Sequence, residues 1–338
     1  MGQWRMTTLT DSFGRRHKDL RVSLTDRCSL RCVYCMPQDF SEWQKSDHLL
    51  DSNELMSVIG AAVSIGIEEV RLTGGEPLLR ADIVDIVSRI STLPNAPKLS
   101  LTTNGLRLVE LAKPLKDAGL GRINVSLDTL DRDTFIKLTH RDRIDDVFAG
   151  LESARNAGLQ PIKINAVLLR GINDQEAPAL LKWAMNEGFS LRFIEQMPLD
   201  AGGIWDRTTM VTAQEILTSL SVHFELFPVP DRGSSPAEEF YINGTSETVG
   251  IIASVTQPFC GACDRLRLTS DGQLRSCLFS LEEMDLRKVL RDPNLSSQEI
   301  AQEISERFYK TIAGKLSGHG INDPSFIQPR RPMSAIGG

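Results

Sequence analysis

The sequence predicts an α/β protein: an incomplete (β/α)6 TIM-like barrel followed by a smaller C-terminal α+β region. Three observations support this prediction. From about residue 20 to residue 225, short runs rich in Val, Ile, Leu and Thr alternate with amphipathic helical segments. A glycine ends most of these helices before the next run begins. Near residue 228 the pattern stops in a segment rich in proline, glycine and serine. An alternating β/α order implies parallel strands joined by right-handed crossovers.

The barrel region contains six strand-like segments. They are residues 20–24, 70–73, 99–102, 123–127, 162–167 and 191–194. Two pairs resemble capping boxes at helix starts, namely Asp51 with Glu54 and Asn173 with Glu176. The helix-ending glycines are Gly66, Gly119, Gly158 and Gly188. These signals predict strand, helix and turn in regular succession.

We place the domain boundary after residue 225, so that residues 1–225 form the partial barrel and residues 226–338 form the C-terminal domain. Strands are expected at the segments 240–242, 249–253 and 266–269. A helix is expected to begin at the capping pair Ser296 and Glu299. Its apolar stripe is expected to consist of Ile300, Ile304, Phe308, Ile312 and Leu316. The segment after residue 317 has no periodicity, which is typical of a flexible end.

Composition and charge exclude several classes of protein. No stretch approaches the roughly 20 consecutive apolar residues that a membrane span needs. The N-terminus lacks the apolar run of a secretory signal, so we expect a cytoplasmic protein. The net charge of -6 argues against a general nucleic-acid surface. A phosphate-bearing ligand would therefore need a local basic cluster.

All cysteines of the chain fall into two triplets. They are Cys28, Cys32 and Cys35 near the start, and Cys260, Cys263 and Cys277 near the end. Three thiolates are one short of a closed zinc site or a fully ligated iron-sulfur cluster, so each triplet leaves a metal position open. Disulfides are disfavoured in a reducing compartment. Zinc remains the main alternative, although neither triplet has a histidine nearby.

Polar side chains alternate with apolar ones along the predicted strands. The polar positions that share a face are Arg71 with Thr73, Asn124 with Ser126, Lys163 with Asn165, and Arg265 with Arg267. If the apolar face packs against the helices, this polar set points into the barrel. Unpaired charges there are costly, which predicts a binding site at the C-terminal ends of the strands. The alternative is a set of exposed edge residues or satisfied ion pairs.

Two motifs carry a family resemblance. The segment CSLRCVYC at 28–35 follows the first strand, and TGGEP at 73–77 follows the second. Together they resemble the radical S-adenosylmethionine (SAM) superfamily. The resemblance implies that the first triplet binds a [4Fe-4S] cluster whose fourth iron is chelated by SAM. It also implies that the Gly-Gly-Glu-Pro strand end contacts SAM, and that reductive cleavage of SAM yields a 5′-deoxyadenosyl radical.

The rest of the chain is similar to the GTP 3′,8-cyclase family of molybdenum-cofactor biosynthesis. The similarity lies in CGACDRLRLTSDGQLRSCLF at 260–279, SLDTLD at 126–131, RFIEQMPL at 192–199 and the terminal Gly-Gly. It implies a second [4Fe-4S] cluster and conversion of GTP to (8S)-3′,8-cyclo-7,8-dihydroguanosine 5′-triphosphate. The implied partners are a reductant such as flavodoxin or ferredoxin, a downstream cyclic pyranopterin monophosphate synthase, and a second copy in a homodimer.

The resemblance also assigns roles to individual residues. Both cysteine triplets are the implied cluster ligands. The implied SAM contacts are Tyr34, Gly75, Glu76, Ser126 and Met197. The implied GTP contacts are Arg21, Arg71, Thr102, Lys163, Arg265, Leu266 and Arg267. The expected catalytic positions are Arg192, which shares the inward face of the last barrel strand, and the tail residues Gly337 and Gly338.

Two alternatives stay open at this point. One is a peptide-modifying radical SAM maturase, although such enzymes usually carry more cysteines. The other is a non-catalytic binding protein stabilised by two zinc sites. One departure from the family pattern is His140, which stands where relatives usually have glycine in a Thr-Gly-Arg turn.

Overall fold

The structure, a computed structural model, describes residues 8–200, 203 and 205–337. Its strands belong to a single sheet. They are β1 (Asp19–Ser23), β2 (Glu69–Thr73), β3 (Lys98–Thr103), β4 (Arg122–Ser126), β5 (Ile162–Val167), β6 (Ser190–Ile194), β7 (Leu226–Pro228), β8 (Glu238–Ile242), β9 (Thr248–Ile252), β10 (Arg265–Leu268), β11 (Gln273–Arg275) and β12 (Met284–Asp285). The six predicted barrel strands are confirmed, and so are the three predicted strands of the C-terminal region. The short strands β7, β11 and β12 were not predicted.

The order of the strands explains the open barrel. It runs β12-β11-β10-β1-β2-β3-β4-β5-β6-β9-β8-β7. Neighbours from β10 to β9 are parallel, and the outer pairs are antiparallel. The expected partial TIM-like barrel is therefore confirmed. Two strands from the C-terminal region, β9 and β10, extend it at opposite edges. We propose that the boundary after residue 225 separates two sequence regions that share this sheet.

The helices of the main core pack against the outer face of the sheet. They are α1 (Ser52–Ser64), α2 (Ile83–Ser91), α3 (Leu108–Asp117), α4 (Arg132–Thr139), α5 (Ile144–Asn156), α6 (Ala177–Asn186), α7 (Ala213–Ser221), α8 (Arg287–Leu290) and α9 (Ser297–Ala313). A short further helix, α10 (Met333–Ile336), lies in the C-terminal tail. None of the helices in the described part of the chain has both the length and the hydrophobicity that a membrane span requires.

The capping predictions had mixed outcomes. Capping boxes form at Asp51 before α1 and at Ser296 before α9, as predicted. The prediction for Asn173 was wrong, because α6 begins only at Ala177 and lacks a side-chain cap. The amide of Asn173 instead donates to the carbonyl oxygens of Asp128, in the loop after β4, and of Val167, at the end of β5, 2.9 Å away in each case. These carbonyls satisfy the buried amide, and a local capping rule does not consider them.

The chain adopts positive φ angles at two positions that follow helices. His140 follows α4 with φ 55° and ψ 26°, the left-handed conformation that glycine adopts most easily. The expected helix-ending glycine Gly66 has φ 117°.

In the C-terminal region, the apolar stripe of α9 is shorter than predicted. Leu316 lies beyond the end of α9 and is 73% exposed, so its assignment to the core was wrong.

The core lies between the sheet and the helices. Leu20, Leu72, Val125, Ile164 and Leu266 are fully buried there. These are the positions that strand alternation assigned to the apolar face, so the inferred orientation of the strands is confirmed. The intervening polar residues consequently face the interior of the barrel.

Candidate functional site

The C-terminal ends of the parallel strands line an internal cavity. Its volume is about 300 Å³. Both cysteine triplets line this cavity, although they are more than two hundred residues apart in the chain. The fold therefore brings the two predicted metal sites to the same interior space.

The first triplet lies in the loop after β1. Cys28, Cys32 and Cys35 are half-buried free thiols. Burial raises the pKa of Cys28 to about 11 and that of Cys35 to about 12. Asn104 Nδ2 lies 3.8 Å from Cys28 Sγ. Three soft sulfur donors that ionise poorly without a cation fit an iron-sulfur cluster that leaves one iron open.

The second triplet has a more cationic environment. Burial alone would raise the pKa of Cys263, but the charges of Arg265 and Lys315 lower it to about 7. Lys315 Nζ lies 3.8 Å from Cys263 Sγ and donates to the carbonyl oxygen of Arg265 at 2.7 Å. Lys315 was not recognised from the sequence. Its only signal there is a position shortly after α9, which does not reveal proximity to a cysteine.

The chemistry of the donor sets bears on the zinc alternative. Among the described residues, no three Cys, His, Asp or Glu side chains converge on one ion position. A single zinc ion binds sulfur at about 2.3 Å and draws its ligands together. In a [4Fe-4S] cluster the ligands bind different irons and stand farther apart. The three thiols of each triplet suit a cluster that leaves one iron open.

The predicted SAM loop is packed tightly against the first cysteine loop. The Gly75 N–H donates to the carbonyl oxygen of Thr25 at 2.7 Å, and the Glu76 N–H donates to that of Arg27 at 2.7 Å. A Cβ added at Gly75 would lie 2.4 Å from the carbonyl oxygens of both Asp26 and Arg27. Only glycine permits this approach, and Gly75 lines the cavity.

Glu76, the remaining residue of the predicted SAM loop, is buried and hydrogen-bonded within the protein. Its carboxylate accepts hydrogen bonds from Thr103 Oγ1 at 2.7 Å, the Asn104 N–H at 2.7 Å and the Leu78 N–H at 2.9 Å. Burial raises its pKa to about 7. The side chain thus joins the ends of β2 and β3 behind the cavity wall.

The other predicted SAM contacts line the cavity. They are Tyr34, Ser126 and Met197. Tyr34 Oη donates to Asp128 Oδ2 at 2.7 Å, and the Val167 N–H donates to Asp128 Oδ1 at 2.8 Å. Burial raises the pKa of Asp128 to about 6. Asp128 was not recognised from the sequence. The sequence signal for Asp128 was its position two residues after Ser126, which is the last residue of β4.

The predicted basic set converges in the cavity. Arg21 is paired in register with Arg71 on one side and with Arg267 on the other. These three residues, with Thr102, Arg192 and Arg265, line the cavity. Arg21 Nε and Arg265 Nη2 are buried without a hydrogen-bond partner in the described structure. Burial and the neighbouring charges of Arg71 and Arg267 lower the pKa of Arg21 well below its usual value.

Three further predicted residues, Lys163, Arg192 and Leu266, have different surroundings. Lys163 lies on β5, where burial and the charge of Arg192 lower its pKa to about 8. Arg192 forms an ion pair with Glu239, with Nη2 and Oε1 3.3 Å apart. The Leu266 side chain is fully buried in the core and does not line the cavity. A substrate contact at Leu266 would have to involve its main chain.

The tail enters the barrel. The Gly337 carbonyl oxygen accepts a hydrogen bond from Arg267 Nη1. Gly337 has φ 89°, and a Cβ added there would lie 2.9 Å from Thr73 Cγ2. Gly338 lies outside the described residues.

Comparisons with known proteins agree with this geometry. The family model "Radical SAM superfamily" matches residues 22–184, and "Molybdenum Cofactor Synthesis C" matches residues 189–319. A protein of Streptomyces coelicolor named GTP 3′,8-cyclase is 55% identical over 98% of this chain and 96% of its own length. A protein of the same name from Mycolicibacterium smegmatis is 50% identical over 98% of this chain and 92% of its own length.

A solved structure gives independent evidence for the fold. SuiB of Streptococcus suis aligns with a TM-score of 0.59 at 14% identity, covering 88% of this chain and 67% of that protein. This likeness concerns the fold alone. Taken with the two family models and the full-length relatives, it leads to one conclusion: the chain belongs to the GTP 3′,8-cyclase family of radical SAM enzymes.

Proposed function

We propose that this enzyme converts GTP to (8S)-3′,8-cyclo-7,8-dihydroguanosine 5′-triphosphate, the first step of molybdenum-cofactor biosynthesis. The observation that carries the proposal is the arginine set in the cavity that both cysteine triplets line. The buried guanidinium groups repel one another, and a bound anion would offset this repulsion. A nucleoside triphosphate is such an anion, and its base can reach one triplet while its ribose faces the other.

The cysteines would hold the two inorganic groups. A [4Fe-4S] cluster on Cys28, Cys32 and Cys35 would supply, together with SAM, the 5′-deoxyadenosyl radical that removes the 3′ hydrogen of GTP. Cys260, Cys263 and Cys277 would hold another [4Fe-4S] cluster, whose open iron could supply a ligand position for the guanine base. The Arg265 and Lys315 charges favour the thiolate form of Cys263, which is the form that binds iron.

The arginines would bind and orient the triphosphate. Adjacent guanidinium groups on β1, β2 and β10 present planar sets of N–H donors that match phosphate oxygens. The unpartnered Nε of Arg21 and Nη2 of Arg265 are available for such bonds. Phosphate would also relieve the repulsion among these cations. Positioning of this kind holds the ribose at a constant distance from the radical source.

The walls and the tail would protect the radical from water. Gly337 brings backbone close to Thr73 and Ser23, where a side chain has no room. Met197 and the tail residue Met333 add apolar surface to the wall of the cavity. Excluding water in this way prevents side reactions of a radical intermediate. We assign Arg192, Gly337 and Gly338 to this catalytic region.

The proposal includes partners and a location. A flavodoxin or ferredoxin would deliver electrons, and a cyclic pyranopterin monophosphate synthase would take up the cyclised nucleotide. We further propose a cytoplasmic enzyme that acts as a homodimer, which sedimentation analysis can test.

The decisive experiment is product analysis after anaerobic reconstitution. Protein with measured iron and sulfide contents is incubated with SAM, GTP and dithionite, and nucleotides are analysed by mass spectrometry. The wild-type protein should form the cyclised triphosphate and 5′-deoxyadenosine, whereas Arg71→Met should lose at least about tenfold in kcat/KM through lost charge-assisted hydrogen bonds. Arg132→Met is the matched control, because Arg132 is 54% exposed in a surface ion-pair cluster. Consumption of SAM without a cyclised nucleotide would contradict the proposal.

A further inference from the structure

Residues 331–337, which we call the tail segment, are held at their start by an ion-pair network. Arg331 donates to both carboxylate oxygens of Asp271, at 3.2 and 2.9 Å. The same guanidinium contacts Glu283, with Nε 2.7 Å from Oε1 and Nη2 2.9 Å from Oε2. These acids lie on either side of Cys277 in the sequence. The start of the tail segment is therefore anchored to the region of the second triplet.

Apolar residues of the tail segment pack inside the protein beyond this anchor. Ile336 is 1% exposed and belongs to a small hydrophobic cluster that is separate from the main core. Met333, Met197 and Cys277 pack against the same cluster. In addition, the Met333 N–H donates to the carbonyl oxygen of Leu199 at 2.9 Å. The tail segment thus contacts the chain that carries the predicted SAM residue Met197.

Ser334 brings the tail segment to the first triplet itself. Its backbone N–H faces Cys35 and favours the thiolate, which opposes the rise in the pKa of Cys35 that burial causes. Its side chain is 2% exposed, lines the cavity, and has an Oγ without a hydrogen-bond partner in the described structure. A buried hydroxyl without a partner is unfavourable unless a ligand supplies one. The cavity beside Cys35 and Tyr34 is where that ligand would lie.

We propose that Ser334 is part of the SAM site, with its hydroxyl bonded to a polar group of SAM, and that Arg331 is the positioning residue that seats it there. This inference rests on the proposed use of SAM and extends it to the tail segment. A hydrogen bond from an N–H to a ligating sulfur stabilises the reduced, more negative cluster. The tail segment would thereby affect SAM binding and the first cluster as well as the nucleotide.

The test compares four variants of the full-length, reconstituted protein without GTP. They are Ser334→Ala, Arg331→Met, a chain that ends at residue 330, and the control Arg330→Met, whose side chain is exposed. SAM affinity is measured anaerobically by titration of the EPR signal of the reduced cluster. Loss of one hydrogen bond should raise the Kd of Ser334→Ala about three- to tenfold. Arg331→Met and the shortened chain should show at least the same increase, and Arg330→Met none.

A second measurement, the midpoint potential of the first cluster, distinguishes the role of the Ser334 hydroxyl from that of its backbone N–H. Alanine keeps the backbone N–H, so the midpoint potential of the first cluster should stay unchanged in Ser334→Ala. The potential should fall in Arg331→Met and in the shortened chain, where the N–H is displaced from Cys35. Iron content and thermal melting verify that each variant is folded and loaded. A Kd for SAM within about twofold of wild type in both Ser334→Ala and Arg331→Met would overturn the inference. Normal SAM binding and cleavage with no cyclised nucleotide would instead point to failure of the proposed function.

Discussion

Arg267 donates a hydrogen bond to the carbonyl oxygen of Gly337, so a residue of the predicted substrate site is in contact with the C-terminal tail. Arg267 is paired in register with Arg21, whose guanidinium lies in the same cavity. The tail therefore forms part of the cavity wall beside these arginines. This relationship makes the conformation of Gly337 a sensitive point in the enzyme.

Gly337→Ala should lower kcat/KM for GTP by at least about tenfold while leaving both clusters loaded. The new Cβ would lie 2.9 Å from Thr73 Cγ2 and 3.1 Å from Ser23 Cβ, in a backbone conformation with φ 89°. Overpacking of this kind typically costs about 1–3 kcal/mol and would displace the carbonyl from Arg267. Initial rates and iron analysis check the prediction. Gly320→Ala is the control, because φ is 69° there and no atom lies within 4 Å of the added Cβ.

Gly75→Ala should impair assembly of the first cluster and lower stability by about 1–3 kcal/mol. Its Cβ would meet two backbone oxygens at 2.4 Å, and backbone cannot move aside as a flexible side chain can. Urea denaturation and iron content are the measurements. In contrast, Gly60→Ala in α1 has no atom within 4 Å and should stabilise the protein by about 0.5–1 kcal/mol. Equal stability of the two variants would show that the close approach at Gly75 is absent.

GTP binding should weaken as the pH rises through the pKa of Lys163. Burial and the charge of Arg192 lower this pKa to about 8, so the ammonium is fully present only below that value in the free enzyme. The Kd for GTP should therefore be nearly constant at lower pH and increase above about 8. Lys163→Arg should remove the dependence by keeping its charge. Lys163→Met should remove it too, but with weak binding throughout. A pH profile in Lys163→Met identical to that of wild type would assign the titration to another group.

Cys263 should be the most reactive cysteine of the metal-free protein. The charges of Arg265 and Lys315 overcome the effect of burial and lower its pKa to about 7, whereas burial raises that of Cys28 to about 11. At neutral pH about half of Cys263 and about one in ten thousand of Cys28 would be thiolate, the reactive form. Pulse alkylation with iodoacetamide followed by peptide mass spectrometry measures the rates.

The matched variant for this measurement is Lys315→Met, which should slow alkylation of Cys263 and leave that of Cys28 unchanged. Lys315 Nζ lies 3.8 Å from Cys263 Sγ, in the second triplet. Similar alkylation rates at Cys263 and Cys28 in the wild-type protein would contradict the assigned environment.

Local patterns identified much of the fold and of the candidate site. Six barrel strands, the Asp51 and Ser296 caps and the inward orientation of Arg71 follow from periodicity and capping chemistry, which act over a few residues. The capping rule failed at Asn173, whose amide bonds to the carbonyl oxygens of Asp128 and Val167 instead of capping a helix. Asp128 is 45 residues away in the chain, so this partner cannot be identified from nearby sequence.

The sequence by itself determined the β/α architecture, the two cysteine triplets and the alternation that places basic residues on one face. Only the tertiary structure decided that β10 pairs with β1, which sets Arg267 beside Arg21, and that Ser334 of the tail lines the same cavity as Cys35. The reason is physical. Alternation and capping depend on local backbone geometry, whereas parallel pairing and tail insertion depend on packing between segments that are far apart in the chain.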